Sequence, residues 1–285
     1  MSWRKTSTSV STTPDRAGSR SGTSEKAFTG TFDGQGHAIT GLKIDLPSTS
    51  SVGLFGFIDG DASISNIRLV DADVTGYSNA GTLVGCMQGG TVAAAYAQGK
   101  VNNSEFYAGG LIGRMDGGTL RRSYANAQVN GKWSTGGLVG VNAGTIEQSY
   151  AAGTADSNAA NLGGLAGENS GTIRQSYALT DVTGGTVNVG GLVGENKGSI
   201  EESYAAGKVN SGAEAIGGLI GTNTAAVSKS YYDSEKTGQH DTDKGESLTT
   251  AQMKQQASFD GCDFDSVWTI AEGSEYPTLK WQTGP

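Results

Sequence analysis

Few residues in this 285-residue chain combine the type and spacing that chemistry needs. There are two histidines. His37 sits in "GQGHAI", where a turn hydrogen bond is the expected role, and His240 lies in a polar loop and is expected to be solvated. Neither belongs to an HExxH pattern, so metalloprotease chemistry is not encoded. Cys86 and Cys262 lie far apart, lack a basic histidine partner and read as free thiols. No P-loop occurs, and the GxG strings read as turn glycines. Accordingly no catalytic residue, metal ligand or cofactor is assigned. Two carboxylate sets keep an enzyme in view. Glycoside hydrolysis needs two carboxyls roughly 5–10 Å apart. Glu168 and Glu195 are 27 residues apart, and Glu201 and Glu202 are neighbours. This leaves a polysaccharide lyase or glycoside hydrolase as the alternative reading. "DTDKG" at Asp241–Gly245 alternates carboxylates as short calcium loops do, but lacks a full ligand set.

The strongest binding candidates are tyrosines. Tyr96, Tyr124, Tyr150, Tyr177, Tyr204 and Tyr231 recur at intervals of 28, 26, 27, 27 and 27 residues. A flat row of phenol rings could stack on sugar rings while the hydroxyls exchange hydrogen bonds. The expected partner is a host or cell-wall glycan or a protein. The competing role is structural, with the rings stacking on one another at ~0.5–1.5 kcal/mol per pair.

A repeat must position them. The element GLxG begins at Gly53, Gly110, Gly137, Gly164, Gly191 and Gly218, with "TLVG" at Thr82, giving steps of 29, 28, 27, 27, 27 and 27. A degenerate earlier unit reads "FTGTFDGQGHAITGLKIDL". Each unit is broken by Gly, Asn and Ser every few residues, and its apolar positions alternate as strands require. The pattern predicts an all-β protein. Its fold would be a parallel β-helix, right-handed by the rule for parallel crossovers, of about eight coils. Each 27-residue coil has room for three strands of 4–5 residues and three turns. At ~4.8 Å per coil, eight coils span roughly 40 Å.

Strand alternation assigns the faces. In "VAAAYAQGKV", Ala95, Ala97, Gly99 and Val101 share one parity, and Tyr96, Gln98 and Lys100 the other. Lys and Gln do not fit a narrow dry core, so the first set faces in. The tyrosines therefore form an outward, solvent-exposed ladder. Ser123, Ser149, Ser176, Ser203 and Ser230 point in beside them as small fillers. A leucine column from Leu54 to Leu219 and an Ile/Val/Leu column from Ile64 to Val227 should stack inside. Asn142, Asn169, Asn196 and Asn223 should form an amide ladder. Arg121, Glu147, Arg174 and Glu201 alternate in sign from coil to coil, each exposed pair contributing ~0.2–1 kcal/mol.

Three segments result: a flexible Ser/Thr-rich lead-in over 1–27, the β-helix over 28–231, and a small α+β capping segment over 232–285. In the last, Thr249 with Gln252 forms a capping-box pattern that opens a short helix. "SVWTIAEGSEYPTLKW" reads as two strands around a turn. Phe259, Phe264, Val267, Trp268, Ile270, Leu279 and Trp281 are its expected core. Composition agrees with a thin repetitive core: 46 glycines, 4 prolines, 35% hydrophobic and 17% charged residues. A net charge of -8 argues against nucleic acid and anionic membranes as partners. No apolar run of 18 residues exists to insert in a bilayer.

"FDGQGHAITGL" at 32–42, the repeated "GGLVG.N.G.I..SYA" and the closing "SYYDSEKTG…SLTTAQMKQQASFDGCDFDSVWTI.EGSEYPTLKWQ" together resemble the GLUG-motif family, over about 28–283. The resemblance implies parallel β-helices within large secreted or surface-attached bacterial proteins, including adhesins and non-catalytic regions of immunoglobulin A peptidases. Two departures stand out: the strand-forming lead-in expected before Phe28 is replaced by the Ser/Thr/Arg segment, and Cys262 stands where the family more often has an aromatic. The expectation is thus a non-catalytic extracellular or cell-surface module. It would be an adhesin or stalk, part of a larger polypeptide whose export signal lies outside this chain.

Overall fold

The structure, a computed structural model, describes residues 11–12 and 21–283. Its body is a parallel β-solenoid of about seven turns, against the eight expected. The coil that starts at Gly137 shows the plan. A motif strand, Val139–Asn142, is followed by a short strand, Thr145–Glu147, a long strand, Tyr150–Ser157, and a closing strand, Ala160–Gly163. There are four segments per coil where three were expected. The reason lies at the corners. Gln148, like its cognates Arg122, Gln175, Glu202 and Lys229, has φ between 46° and 49°, and Asn161 has φ 58°. A single residue in the left-handed region turns the chain sharply, so a corner consumes one residue and room remains for a further strand.

Coils stack in register. Tyr124 pairs with Tyr150, which pairs with Tyr177, and Asn142 pairs with Asn169, which pairs with Asn196. The first glycine of the repeated element is required by this stacking. A Cβ on Gly164 would lie 2.1 Å from the carbonyl oxygen of Gly191 in the next coil, and one on Gly191 would lie 2.2 Å from that of Gly218. At Gly164 and Gly191 no side chain fits at this coil spacing, whereas Thr82, which holds the cognate place in its coil, is accommodated fully buried with Oγ1 donating to Gly110 O at 2.6 Å.

The interior is built from the expected columns. Leu83, Leu111, Leu138, Leu165, Leu192 and Leu219 are fully buried, as are Ile64, Val92, Leu120, Ile146 and Ile173. Leu54 and Val227, at the two ends, are partly buried. Burial of each such side chain contributes ~1.5–3 kcal/mol. Polar columns run beside the apolar ones. Asn142 Nδ2 donates to Asn169 Oδ1, Asn169 Nδ2 to Asn196 Oδ1, and Asn196 Nδ2 to Asn223 Oδ1, each at 2.7 Å. The serines do more than fill space. Ser149 N–H donates to Ser176 Oγ at 3.1 Å, while Ser149 Oγ donates to Glu147 O at 2.8 Å, and the same relay recurs at Ser123, Ser176 and Ser203. In the alternating charge column, Arg174 meets Glu147 at 2.9 Å.

The C-terminal residues divide their work. Tyr232 takes the column place of Ala205, is fully buried, and lays its ring against Gly218 to close the end of the core. Lys244 Nζ donates to the carbonyls of Ile216 and Gly221, and Asp241 Oδ1 accepts from Gly218 N–H, so side chains meet the last coil's backbone groups. Glu246–Leu248 adds a parallel strand to Tyr231–Asp233. Beyond it the chain turns down the side of the solenoid. The Thr249–Gln252 capping box forms, with Gln252 N–H donating to Thr249 Oγ1 and Thr249 N–H to Gln252 Oε1. It opens a 3-10 turn, Gln252–Lys254, in place of the expected short helix. The only α-helix among the described residues is the single turn Ser234–Thr237. Trp268–Thr269 and Thr278–Leu279 form the expected antiparallel pair.

The expectation of a solvent-exposed tyrosine ladder fails. The tyrosines leave the coil on its outer side, but the ladder is not solvent-exposed along its length. Tyr177, Tyr204 and Tyr231 are 1–2% exposed, and Tyr96, Tyr124 and Tyr150 are half-buried. The physical reason is that a continuous aromatic stripe is an apolar surface, and the C-terminal segment folds back to cover it. The expected flexible lead-in over 1–27 lies mostly outside the described residues. Of its described part, Ser21 O accepts from Gly56 N–H beside the first motif strand, at 3.0 Å.

Because the amide ladder is buried, Asn169→Ala should cost about 2 kcal/mol, the penalty for orphaned buried polar groups. Urea unfolding should show that loss, and a distinctly smaller one for Asn223→Ala at the end of the row, where the amide is only partly buried.

Candidate functional site

The tyrosine face is held by ring stacking and by the segment laid across it. Centroids are 4.5 Å apart for Tyr124–Tyr150, 4.8 Å for Tyr150–Tyr177 and 4.9 Å for Tyr177–Tyr204, with interplanar angles of 9°, 2° and 2°. Parallel β pairing sets this separation, since each ring sits one strand above the last. Trp268 tilts over Tyr177 and Tyr204, Phe259 meets Tyr231 edge-on at 5.0 Å, and Trp281 lies beside Tyr124 and Tyr150. The hydroxyls are used as well. Tyr177 Oη donates to Gln282 Oε1, Tyr204 Oη to Pro277 O, and Tyr231 Oη to Asp260 O. In return Trp281 Nε1 donates to Gln148 O at 2.9 Å. Phe259, Val267, Trp268 and Leu279 are buried and Phe264, Ile270 and Trp281 partly so, as the core expected for the C-terminal segment. What it covers is the side of the stack.

Burial pushes the Tyr150, Tyr177, Tyr204 and Tyr231 phenols well above the ordinary tyrosine value, and the neighbouring Tyr177 adds to the effect at Tyr150 and Tyr204. The cysteines are similarly muted. Burial, then the Asp116 charge, pushes the Cys86 thiol up to about 12, and burial with Glu202 does the same to Cys262. Both are free thiols.

Glu168 and Glu195 do stand in register on adjacent coils. Lys197 binds both, at 3.0 Å and 3.1 Å. Burial draws the Lys197 ammonium down, but its hydrogen bonds to the two carboxylates outweigh this and raise its pKa. Glu195 also accepts from Asn161 Nδ2 at 3.0 Å. Glu202 is engaged with Gln175 and, at 3.9 Å, with Lys229. Asp241 and Lys244, from the calcium-like loop, serve the solenoid end as described. Among the described residues no three His, Cys, Asp or Glu side chains gather as a metal site. His37 is exposed, and its backbone N–H and C=O bond to Gly34 and Arg68.

Sequence reasoning missed two surfaces. One is an open groove of about 600 Å³ over the early coils, lined by Asp71, Asp73, Gln98, Lys100, Asn126, Gln128 and Thr154 among others. It adjoins the uncovered upper end of the ladder, where Arg68 lies 5.8 Å from the Tyr96 ring. The other is a corner bearing Tyr77, Phe106 and Trp133, each 42–44% exposed. The signal for the first was available. The column beside the tyrosines is polar at Asp71, Gln98 and Asn126 and apolar at Ala152, Leu179 and Ala206, which marks where cover begins.

The family model described as the GLUG motif matches residues 185–210. Halomucin of Haloquadratum walsbyi is 38% identical over 133 residues, covering 46% of this chain and 1% of that protein. A Gly-rich membrane protein of Evansella cellulosilytica is 48% identical over 48 residues, covering 16% of this chain and 5% of the relative. The chain thus spans a small part of the curated relatives it matches. A solved structure from Bacteroides ovatus, titled as an immunoglobulin A1 protease, superposes with a TM-score of 0.54 at 19% identity, over 88% of this chain and 77% of that one. That likeness is one of fold.

Two outcomes follow from the covered ladder. Trp268→Ala removes the indole packed on two rungs and should cost about 3–5 kcal/mol. Hydrogen exchange should then quicken at residues 259–282 while the solenoid's buried amides keep their protection. The raised tyrosine values set the sign of the pH dependence: the folded chain holds its phenols neutral, and the unfolded chain loses protons near pH ~10. The tyrosine contribution to stability should be flat in pH below that point and fall above it, following an earlier fall as Cys86 and Cys262, whose thiols are held up to about 12 in the folded chain, ionise in the unfolded chain from pH ~8.5. Tyrosinate absorbance should show the covered rings ionising together with release of the C-terminal segment.

Proposed function

We propose that this chain, which carries the GLUG motif, is a non-catalytic repeat module of a secreted or cell-surface protein, acting as a stiff stalk or adhesive arm within a longer polypeptide. One observation carries the reading: the repeated polar side chains are spent on bonds between coils. The asparagine and serine columns run unbroken through four or more coils. Outside them Arg122, Gln148, Gln175 and Glu202 make a further chain of side-chain bonds at 3.0–3.3 Å. Such columns resist bending and sliding of coils, as a spacer requires. The C-terminal segment adds a brace along the side.

The relatives support the same reading. Halomucin and the Gly-rich membrane protein are both far longer than the matched stretch, which suits a unit embedded in a large architecture. The capture of Glu168 and Glu195 by Lys197 favours a stalk over the polysaccharide-degrading alternative, because both carboxylates already have a cationic partner.

Antibodies raised against this chain should label intact cells or the culture medium of the source organism, and brief protease treatment of intact cells should remove the cell-bound signal. Labelling that appears only after lysis would overturn the proposal.

A further inference from the structure

The tyrosine face changes character along its length. At its lower end the rungs and the adjoining Leu179 and Ala206 are packed under the C-terminal segment. At its upper end Tyr96 and Tyr124 are half-buried, and the adjoining positions Gln98 and Asn126 are exposed amides. A register shift between Leu69 and Ala72 interrupts the pairing of the long strands beside them. Gly99 adopts φ 152° and Gly153 φ 97°, and a Cβ on either would strike the neighbouring coil's carbonyl oxygen, at Ala72 or Ala127, within 2.0–2.3 Å. Gly99 and Gly153 line the open groove of about 600 Å³.

We infer that this groove is a binding site for a neutral oligosaccharide laid along the solenoid axis. The inference goes beyond the stalk reading and stands without it. Gln98, Asn126 and Gln128 each offer both donors and an acceptor, which is what sugar hydroxyls require. Tyr96 Oη donates to Gln98 Oε1 at 3.2 Å, which holds the exposed Gln98 amide at the groove. The lining carries two carboxylates, Asp71 and Asp73, and one ammonium, Lys100, with Lys43 outside it 3.9 Å from Asp73. With no excess of cations the groove offers an anionic ligand no attraction, which favours an uncharged one. Its volume falls within the ~300–1,000 Å³ of small-molecule sites. At its margin stand Tyr96 and Tyr124, with centroids 4.3 Å apart; their faces are taken by each other, by Tyr150 and by Arg68, so a sugar meets their partly exposed edges and the Tyr96 hydroxyl. The two amide-bearing coils, with Gln98 and with Asn126 and Gln128, stand ~4.8 Å apart, close to the length of one sugar unit, and are flanked by Asp71 and Asp73 on one side and Thr154 on the other.

Calorimetric titration of the full chain with cellohexaose, mannohexaose, xylohexaose and chitohexaose provides the test, with amide NMR shifts as the map. At least one hexasaccharide should bind, shifting Gln98–Lys100, Asn126–Gln128 and Thr154. Affinity should fall at least tenfold in Asn126→Ala/Gln128→Ala, whose side chains are exposed and whose loss leaves the core intact, and in Tyr96→Ala. Circular dichroism of each variant should match the parent. The inference is overturned if none of the four sugars binds, or if a uronic-acid hexamer binds and the neutral ones do not. It also falls if shifts gather at Tyr77, Phe106 and Trp133, or if the double amide variant binds as well as the parent. Cell-surface labelling is independent of all these outcomes, so the stalk reading stands or falls separately.

Discussion

A strand hydrogen-bonded in register to a copy of itself places like upon like, and the character of this molecule follows from that constraint. Buried amides suit it well. An asparagine can donate to the asparagine above and accept from the one below, so a buried polar column satisfies itself without limit of length. Serine does the same through the backbone, taking an N–H from the coil before and passing its own proton to a carbonyl two residues back. Ionised groups suit the constraint badly. Where carboxylates fall in one column, as at Glu168 and Glu195, a lysine stands between them. Where charges recur at the short strand, their signs alternate and one arginine closes on its neighbour.

Aromatic side chains meet the same constraint with a different result. Parallel rings one strand apart stack, but a row of them leaves a long apolar stripe on the outside of the coil. Exposed apolar stripes invite association, and the molecule resolves this within its own chain. Residues after Thr249 lie across the stripe with two tryptophans, a phenylalanine and several hydroxyl contacts. The stripe is therefore a seat for the C-terminal segment from Tyr231 up to Tyr124, where Trp281 lies, and an open margin at Tyr96. That division links stability to function. The part of the face lined with alanine and leucine is dry and structural, while the part lined with glutamine and asparagine stays wet.

The ends of the stack present a second problem, since the last coil offers backbone groups and core with no successor. Tyr232 fills the core where an alanine stood one coil before, and Asp241 and Lys244 bond the edge. The sequence "DTDKG" has the alternating acids of a calcium loop, yet Asp241 and Lys244 bond main-chain atoms of the solenoid. Charged side chains serve such an edge because a carboxylate accepts N–H groups and an ammonium donates to several carbonyls at once.

The steady 27-residue period, the glycine at each close approach and the alternation within "VAAAYAQGKV" determined the parallel coil, its register and which residues face inward. These are local properties: strand parity and steric fit are decided within one coil and its neighbour, so they are written into every repeat. The asparagine ladder was legible for the same reason. The fate of the outward tyrosines was not. Parity says that Tyr177 and Tyr204 leave the coil, but not what waits outside it, and the cover on these two rings comes from residues up to 105 positions away. The partner of Glu168 and Glu195 was equally hidden, because Lys197 reaches across coils and corners. Tertiary structure alone decided these points, since burial of an outward side chain depends on non-local packing, which no repeat pattern encodes.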